Sequence, residues 1–310
     1  MGNWQGADMS FLTRFAPSPT GHLHIGHAFA AWSVEAYAAH LGAAMVLRIE
    51  DIDPTRCRPE FEESLLTDLH WLGLRYGGAV VRQSQRMAIY AQAIGRLHDL
   101  GLIYPCSCTR RQVRNASPGL GPDGPLYGGT CRDRGPENSP ENSPEAGLEI
   151  GPGNSPASGP ASGSAPDLPV AWRLNMAAAM ARARGLSCDP TPWGDLILVR
   201  RETPTSYHLS VVCDDAAQGI THVMRGKDLE GITAVHRLLQ HLLDLPTPTY
   251  AFHDLLKHDD GAKFSKSEGR APTIAQMRAQ GLRPQDLYLR LNRIPNLRGQ
   301  IDAIKSGNFL

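Results

Sequence analysis

Pro17-Ser18-Pro19-Thr20-Gly21 runs into His24-Ile25-Gly26-His27 at a point where the periodicity of the chain changes. Residues 11–15 before this stretch predict a short buried strand, and residues 28–41 after it carry apolar side chains at nearly helical spacing. A Gly- and Pro-rich turn between a strand and a helix presents backbone N–H groups at the helix N-terminus, where nucleotide phosphates bind. The stretch therefore predicts an α/β fold with a nucleotide site at its first turn.

A second stretch, Lys263-Phe264-Ser265-Lys266-Ser267, is also suited to phosphates. Its two lysines flank small hydroxyl residues and supply mobile positive charge for a developing pyrophosphate. Each motif has an ordinary alternative, because histidines near a helix start often act as caps and a Lys/Ser loop is often only solvated. The presence of both motifs in one chain favours an ATP site built from both ends of one fold.

The remaining sequence alternates between strand and helix patterns. Strands are predicted at 44–49, 170–174, 196–199 and 209–213, and helices at 59–72, 86–100, 229–243, 273–280 and 284–291. This alternation favours a Rossmann-like, doubly wound parallel sheet with its ligands at the carboxyl ends of the strands.

The six cysteines predict a metal site rather than a disulfide framework. Cys106 and Cys108 are spaced to share one zinc, and Cys131 returns on a Gly-rich turn that can close the site. The phenolate of Tyr127 is a candidate fourth ligand. Two alternatives stay open at this point, namely three reduced structural thiols and a degenerate metal site.

Residues 117–166 are dominated by Pro, Gly, Ser, Asn and Glu, and the tetrapeptide Pro-Glu-Asn-Ser occurs twice in succession from Pro136. Such a segment buries too little apolar surface to offset its chain entropy, so we expect a flexible, dispensable insert. We expect four parts: 11–105 is the first half of the catalytic domain, and 106–169 is the zinc knuckle with the insert. Residues 170–267 form the second half of the catalytic domain, and 268–310 form a helical tail.

Lysine and arginine together number 31, as do aspartate and glutamate, so any RNA contact must come from a local basic surface. The candidate arginines cluster near the cysteines and in the tail: Arg110, Arg111, Arg114, Arg132, Arg134, Arg278, Arg283, Arg290, Arg293 and Arg298. The sequence shows neither an apolar run of membrane-spanning length nor a signal-peptide pattern, so we expect a cytoplasmic protein that does not bind membranes.

Five segments resemble, in order, the class I aminoacyl-tRNA synthetases of the glutamyl type. They are residues 17–27, Arg48-Ile49-Glu50-Asp51-Ile52-Asp53, Val211-Val212-Cys213-Asp214-Asp215, Val223-Met224-Arg225-Gly226 and the lysine motif at 263–267. Apart from the biased insert, the resemblance spans about Thr13 to Gly269. It implies a ligase that joins an amino acid to AMP, and it implies a cysteine and tyrosine zinc site at 106–131.

Only residues 268–310 follow the lysine motif, fewer than a separate anticodon-binding domain needs. A glutamyl-type core without that domain resembles the glutamyl-queuosine tRNA(Asp) synthetases, which esterify glutamate onto the queuosine base of the tRNA(Asp) anticodon. This resemblance implies ATP, L-glutamate and queuosine-bearing tRNA(Asp) as partners. We expect a monomer that activates glutamate without tRNA, with one structural Zn²⁺ and with Mg²⁺ accompanying ATP.

The resemblance also implies roles for individual residues. Catalytic roles fall to His24, His27, Lys263 and Lys266. ATP would be bound by Pro17, Thr20, Gly21, His24, Gly26, His27 and Lys266. Glutamate would be bound by Arg14, Ser18, Glu50, Tyr207 and Arg225, the zinc by Cys106, Cys108, Tyr127 and Cys131.

The chemistry of glutamate activation is consistent with these assigned residue roles. A carboxylate is already a nucleophile at neutral pH, so activation requires positioning and charge stabilisation rather than proton removal. The two arginines offer forks for the two carboxylates of glutamate, with their assignment left open, and Glu50 suits the ammonium group. The alternative for Glu50 is a surface ion pair with Arg48. Asp214 and Asp215 are left open between structural caps and neighbours of the ATP site.

Two competing functions remain at this stage. One is a compact or truncated glutamyl-tRNA synthetase that charges the tRNA acceptor end. The other is a non-catalytic, zinc-containing RNA-binding protein. The chain departs from the family at 200–206, where an Asp-Gly turn is usual, and this puts only the local loop shape in doubt.

Overall fold

The computed structural model describes residues 11–132, 170–256, 272–293 and 299–306. Within these ranges the chain forms two compact units. The first unit comprises 11–84, 217–230, 248–256, 272–293 and 299–306. The second unit comprises 85–132, 170–216 and 231–247.

The described strands and helices are numbered in chain order. The strands are β1 (Leu12–Phe15), β2 (Ala44–Ile49), β3 (Gly77–Arg82), β4 (Ile103–Cys106), β5 (Leu120–Gly121), β6 (Gly124–Pro125), β7 (Ala171–Leu174), β8 (Ile197–Val199), β9 (His222–Gly226) and β10 (Thr249–His253). The helices are α1 (Ile25–Leu41), α2 (Pro59–Trp71), α3 (Met87–Asp99), α4 (Arg110–Asn115), α5 (Met176–Arg182), α6 (Tyr207–Ala217), α7 (Thr233–Leu242), α8 (Ile274–Ala279), α9 (Pro284–Leu291) and α10 (Gln300–Lys305).

Parallel strands form the sheet framework of the first unit. β2 lies between β1 and β3 and is parallel to both, and β9 pairs in parallel with β10. β1 lies beside β9, since the Leu12 N–H donates to Thr221 Oγ1 at 2.8 Å and the Thr221 N–H donates to the Leu12 carbonyl at 2.9 Å. The predicted α/β fold with a parallel sheet is therefore confirmed.

Helix α1 packs its small and aromatic side chains into the core of the first unit. Ala28, Phe29 and Val34 are fully or almost fully buried, together with Met45 and Leu47 of β2. The helix ends at Gly42, whose φ of 62° lies in the left-handed region and whose N–H donates to the Ala38 and Ala39 carbonyls. Glycine suits this end because it adopts that conformation without strain.

The second unit is built around an antiparallel sheet in the order β4-β7-β8. Its register places Cys106 opposite Ala171 and Tyr104 opposite Arg173. A small hairpin of β5 and β6 lies in the cysteine-bearing segment. The strands predicted at 170–174 and 196–199 are present as β7 and β8. They were expected in a parallel sheet, but they pair antiparallel in a sheet of the second unit.

One predicted strand is wrong. Residues 209–213 lie within helix α6, where Leu209, Val212 and Asp214 are all buried. A short, mostly apolar run such as this one fits a buried helix as well as it fits a central strand. The helix predicted at 229–243 begins later, at Thr233, after a 3₁₀ turn over Lys227–Leu229.

Several predictions fall outside the described residues. They are the insert beyond position 132, the lysine motif at 263–267, and the candidate RNA contacts Arg134 and Arg298. The four-part division of the chain stays a prediction. Among the described helices, none is both long and apolar enough to cross a membrane.

Candidate active site and metal centre

The two histidines of the first motif cap helix α1. His24 is the N-cap residue, and its ring Nδ1 accepts from the Gly26 N–H at 3.1 Å. The ring Nδ1 of His27 accepts from the His24 N–H at 3.1 Å, which completes a reciprocal capping box. Since Nδ1 accepts in each neutral ring, the ring proton must be on Nε2.

The turn leading to this cap is compact. Pro17 is buried, whereas Ser18, Thr20 and Gly21 are half-buried. The Thr20 N–H donates to the Ser18 carbonyl at 2.9 Å, so the backbone reverses direction just after β1. The predicted ATP-binding residues of this motif therefore form one short turn at the N-terminus of α1, where backbone donors are available.

The chain beyond the lysine motif returns to this turn. Thr273 forms an isolated bridge with His24, and the Ile274 N–H donates to the Leu23 carbonyl at 2.8 Å. Lys263 and Lys266 themselves lie outside the described residues. The first described residues after them are nevertheless anchored beside the histidine cap.

Three residues predicted to bind glutamate lie on the parallel strands of the first unit. Arg14 is on β1, Glu50 directly follows β2, and Arg225 is the fourth residue of β9. All three are buried. The Glu50 N–H donates to the Pro17 carbonyl at 3.0 Å, which ties the end of β2 to the histidine-bearing turn.

Glu50 and Arg48 form a buried pair rather than a surface ion pair. Arg48 is fully buried, and its Nη2 lies 3.4 Å from Glu50 Oε1. Arg48 Nη1 also donates to Gln218 Oε1 at 2.9 Å. The buried carboxylate of Glu50 therefore has a buried cationic partner, as a buried acid needs.

Arg225 is held by several contacts of its own unit. Its Nη2 donates to the Leu229 carbonyl at 3.2 Å. Its guanidinium carbon lies 4.9 Å from the centre of the Tyr250 ring and 5.9 Å from that of Phe252. These contacts fix the guanidinium plane before any ligand binds.

Tyr207 begins helix α6 in the second unit. Its ring makes edge contacts with His208 and His236, with centroids 5.4 Å and 5.7 Å away. His208 Nδ1 lies 3.3 Å from His236 Nε2, and His236 is fully buried. The predicted role of Tyr207 toward glutamate stays a prediction.

The open question about Asp214 is answered by its contacts. It is fully buried in α6, accepts from Arg86 Nε at 2.5 Å and accepts from the Tyr90 hydroxyl at 2.8 Å. Because Tyr90 lies on α3 and Arg86 just before it, this carboxylate joins two helices. It has a structural role within the second unit.

Two aspartates that follow Glu50 stabilise loops. Asp51 accepts from the N–H and the hydroxyl of Ser84, at 2.9 Å and 2.6 Å. Asp53 accepts from Thr55 and Arg56, and the hydrogen bond from the Thr55 hydroxyl is the main cause that lowers the pKa of its carboxyl. Of the three acids in this segment, only Glu50 lies in the predicted glutamate set.

The predicted metal ligands converge in the second unit. The sulfurs of Cys106, Cys108 and Cys131 lie within 4.8 Å of one another. The Tyr127 hydroxyl lies 3.4 Å from the Cys106 sulfur and 3.6 Å from that of Cys108, which is 3.5 Å from the Cys131 sulfur. Around a tetrahedral zinc, bond lengths of about 2.3 Å to sulfur and about 2.0 Å to oxygen imply separations of about 3.8 Å and 3.5 Å. The donor set fits a zinc ion.

Burial and mutual contacts perturb these groups. Burial raises the pKa of the Tyr127 hydroxyl, and hydrogen bonds with the three thiols raise it further. Burial also raises the pKa of Cys131, but hydrogen bonds from the Tyr127 hydroxyl, the Ser107 backbone and the other thiols outweigh it and lower the pKa to about 7. Thiolate at Cys131 is thus accessible near neutral pH, as metal binding requires.

Sequence reasoning missed Arg173 and Asp195. Arg173 Nε donates to the Cys106 sulfur at 3.3 Å, and Asp195 accepts from Arg132 Nε at 2.9 Å. Arg173 lies in a predicted strand with apolar neighbours, a setting in which a charged side chain needs a buried partner. A charged residue within an apolar strand was the signal in the sequence, although it did not identify Cys106 as the partner.

The chain is similar to known proteins in both sequence and fold. The family described as tRNA synthetases class I (E and Q), catalytic domain, matches residues 10–145 and 183–299. A glutamyl-Q tRNA(Asp) synthetase of Rhodobacter capsulatus is 43% identical over 294 residues, covering 89% of this chain and 98% of the relative. That of Symbiobacterium thermophilum is 36% identical and covers 94% of this chain and 88% of the relative.

Solved structures support the fold. A glutamate-tRNA synthetase from Elizabethkingia anophelis has a TM-score of 0.65 at 24% identity, and a glutamate tRNA ligase from Elizabethkingia meningosepticum has 0.66 at 24%. They cover 90% and 96% of this chain, which spans 60% and 64% of theirs. The chain therefore belongs to the class I (E and Q) tRNA synthetase family, within the group of the glutamyl-Q tRNA(Asp) synthetases.

Proposed function

We propose that this chain activates L-glutamate with ATP and transfers it to the queuosine base of tRNA(Asp). The observation that carries the proposal is that Arg14, Glu50 and Arg225 lie near the carboxyl ends of β1, β2 and β9 in the first unit, whose first turn bears the histidine cap. Ligands of open α/β sheets bind outside the carboxyl ends of the strands. The relatives at 36% and 43% identity are named for this activity.

Activation joins a glutamate α-carboxylate oxygen to the α-phosphorus of ATP and breaks the bond to the bridging oxygen, so that pyrophosphate leaves. The Nε2 protons of His24 and His27 can donate to phosphate oxygens, because both Nδ1 atoms are occupied by the cap. Backbone donors at the start of α1 add to this stabilisation. We assign Lys266 to the phosphates in the transition state and Lys263 to their support. Class I synthetases use ATP with Mg²⁺, which we expect on the phosphates rather than in a protein cage.

Recognition of glutamate requires two donors for carboxylates and one acid for the ammonium group. Arg14 and Arg225 supply the guanidinium forks, and Glu50, which is paired with Arg48, supplies the acid. Ser18 and Tyr207 add hydroxyl groups. Transfer then joins a queuosine hydroxyl oxygen to the glutamyl carbonyl carbon. AMP leaves with the electrons of the broken carbon–oxygen bond, and the hydroxyl proton passes to water.

The metal centre would be structural. Cys106, Cys108, Tyr127 and Cys131 would hold one zinc, which supplies a cross-link between the end of β4 and the turn at 127–131. No step of adenylation requires a metal-bound water at this place. We also propose that the chain acts as a monomer and has the four parts predicted from the sequence.

Glutamate transfer onto defined tRNAs tests the proposal. Purified tRNA(Asp) with queuosine should accept glutamate, whereas the same tRNA lacking queuosine and tRNA(Glu) should not. Charging of tRNA(Glu) would instead support the compact glutamyl-tRNA synthetase. Absence of glutamate-dependent pyrophosphate exchange under every condition would support the non-catalytic RNA-binding alternative.

A further inference from the structure

Arg173 touches two of the four candidate zinc ligands at once. It lies in the antiparallel sheet on β7, next to the strand that ends at Cys106, and it is only 7% exposed. Its Nε donates to the Cys106 sulfur at 3.3 Å. Its guanidinium carbon lies 3.9 Å from the centre of the Tyr127 ring, which is stacking distance.

The guanidinium is itself held in place by Asp195. Arg173 Nη1 donates to the Asp195 carbonyl at 2.8 Å. The Asp195 carboxylate accepts from the Tyr104 hydroxyl, from the Met176 N–H at 3.0 Å and from Arg132 Nε at 2.9 Å. Arg132 directly follows the ligand Cys131, so one aspartate supports both sides of the cysteine cluster.

The net charge of a zinc ion with these four ligands explains why a guanidinium suits this position. Zn²⁺ bound by three thiolates and one phenolate leaves two negative charges in excess, in a place where Cys106, Tyr127 and Cys131 are buried. Such excess charge is costly away from water unless a cation offsets it. A planar guanidinium can lie on the phenol ring and donate to a sulfur at the same time, which a lysine ammonium does less well.

We propose that Arg173 is a positioning residue of the zinc centre, which orients Cys106 and Tyr127 and offsets the charge of the ligands. The inference rests on the zinc centre of the proposed function and deepens it. Removing a residue that contacts a metal ligand from outside the coordination sphere typically weakens metal affinity by about 10- to 100-fold.

The test measures zinc affinity of the full chain by competition with a chromogenic chelator. Arg173→Met keeps much of the side-chain volume and removes the charge, and should weaken affinity about 10-fold or more. Arg173→Lys keeps the charge and should recover part of the loss. Arg182→Met, at an exposed arginine that ends α5, is the matched control and should bind zinc like the wild type.

Two further measurements separate a metal role from a packing role. The Co²⁺-loaded Arg173→Met chain should show an altered thiolate-to-cobalt absorption band. The free energy of unfolding should fall more in the zinc-loaded protein than in the chelated protein, by about 1.4 kcal/mol for each tenfold loss of affinity. If Arg173→Met does not fold, Arg173→Lys decides: weaker binding than wild type supports the proposal.

Wild-type affinity in the decisive Arg173 variant would overturn the role of Arg173 and leave the zinc centre standing. An equal loss of stability with and without zinc would overturn it too, because Arg173 would then only pack the sheet. A wild-type chain that binds no zinc would overturn both the centre and the role of Arg173. Glutamate transfer by that chain would still be measured separately.

Discussion

Replacing Arg225 by lysine tests how glutamate is distinguished from glutamine. Arg225 is buried on β9, donates to the Leu229 carbonyl at 3.2 Å and lies 4.9 Å from the centre of the Tyr250 ring. Lysine keeps the positive charge but lacks the planar fork that pairs with a carboxylate. The change therefore removes geometry while it preserves the sign of the charge.

The expected magnitude follows from the bonds that are lost. Hydrogen bonds to charged groups contribute about 1.5–3 kcal/mol, which corresponds to about a 10- to 150-fold loss of kcat/KM for glutamate. The contacts to Leu229 and Tyr250 hold the wild-type fork before binding, so lysine must also be ordered on binding. If Arg225 reads the side-chain carboxylate, glutamine, which has a neutral amide there, should lose less.

The assay is amino-acid-dependent pyrophosphate exchange with glutamate and with glutamine. Arg14→Lys is measured in parallel, because Arg14 is the other arginine proposed to bind a carboxylate. Arg75→Lys is the control, since its side chain is 71% exposed, and its kcat/KM should stay unchanged. Equal losses for glutamate and glutamine in both buried variants would refute the assignment of selectivity to either arginine.

Further predictions concern activation, the metal, the insert and stability. Pyrophosphate exchange should proceed with RNA rigorously removed; a strict requirement for tRNA would contradict the proposed self-contained site. Metal analysis should find about one zinc per chain, and Cys108→Ala should lower the melting temperature more than it lowers kcat, whereas a metal-free wild type of normal stability would argue against the site. Removal of 135–166 should leave glutamate activation intact, and its loss would show that the insert is not dispensable. Asp214→Asn should lower the free energy of unfolding by about 1.5–3 kcal/mol, because the buried carboxylate bonds Arg86 and Tyr90, while Asp244→Asn should change it by at most about 0.5 kcal/mol; equal effects in urea unfolding would refute the structural role.

Local patterns predicted the elements that have clear boundaries. The strand at 44–49 and the helix at 284–291 were predicted with their observed ends, because an apolar run and a proline at the first helical turn mark them. Helix α1 begins three residues before its predicted start, since His24 acts as the cap. Helix α6 was predicted as a strand, because periodicity does not distinguish a buried helix from a buried strand.

Residue types at short spacings were enough to predict the α/β class, the family, and the four side chains that converge as candidate zinc ligands. The folded chain, and not the sequence, shows that Arg48 is buried beside Glu50, that Asp214 joins two helices, and that Arg173 lies against the candidate zinc ligands. These partners are far apart in the chain or differ in burial from what their charge suggests. Their contacts depend on strand register and helix packing, which no local pattern encodes.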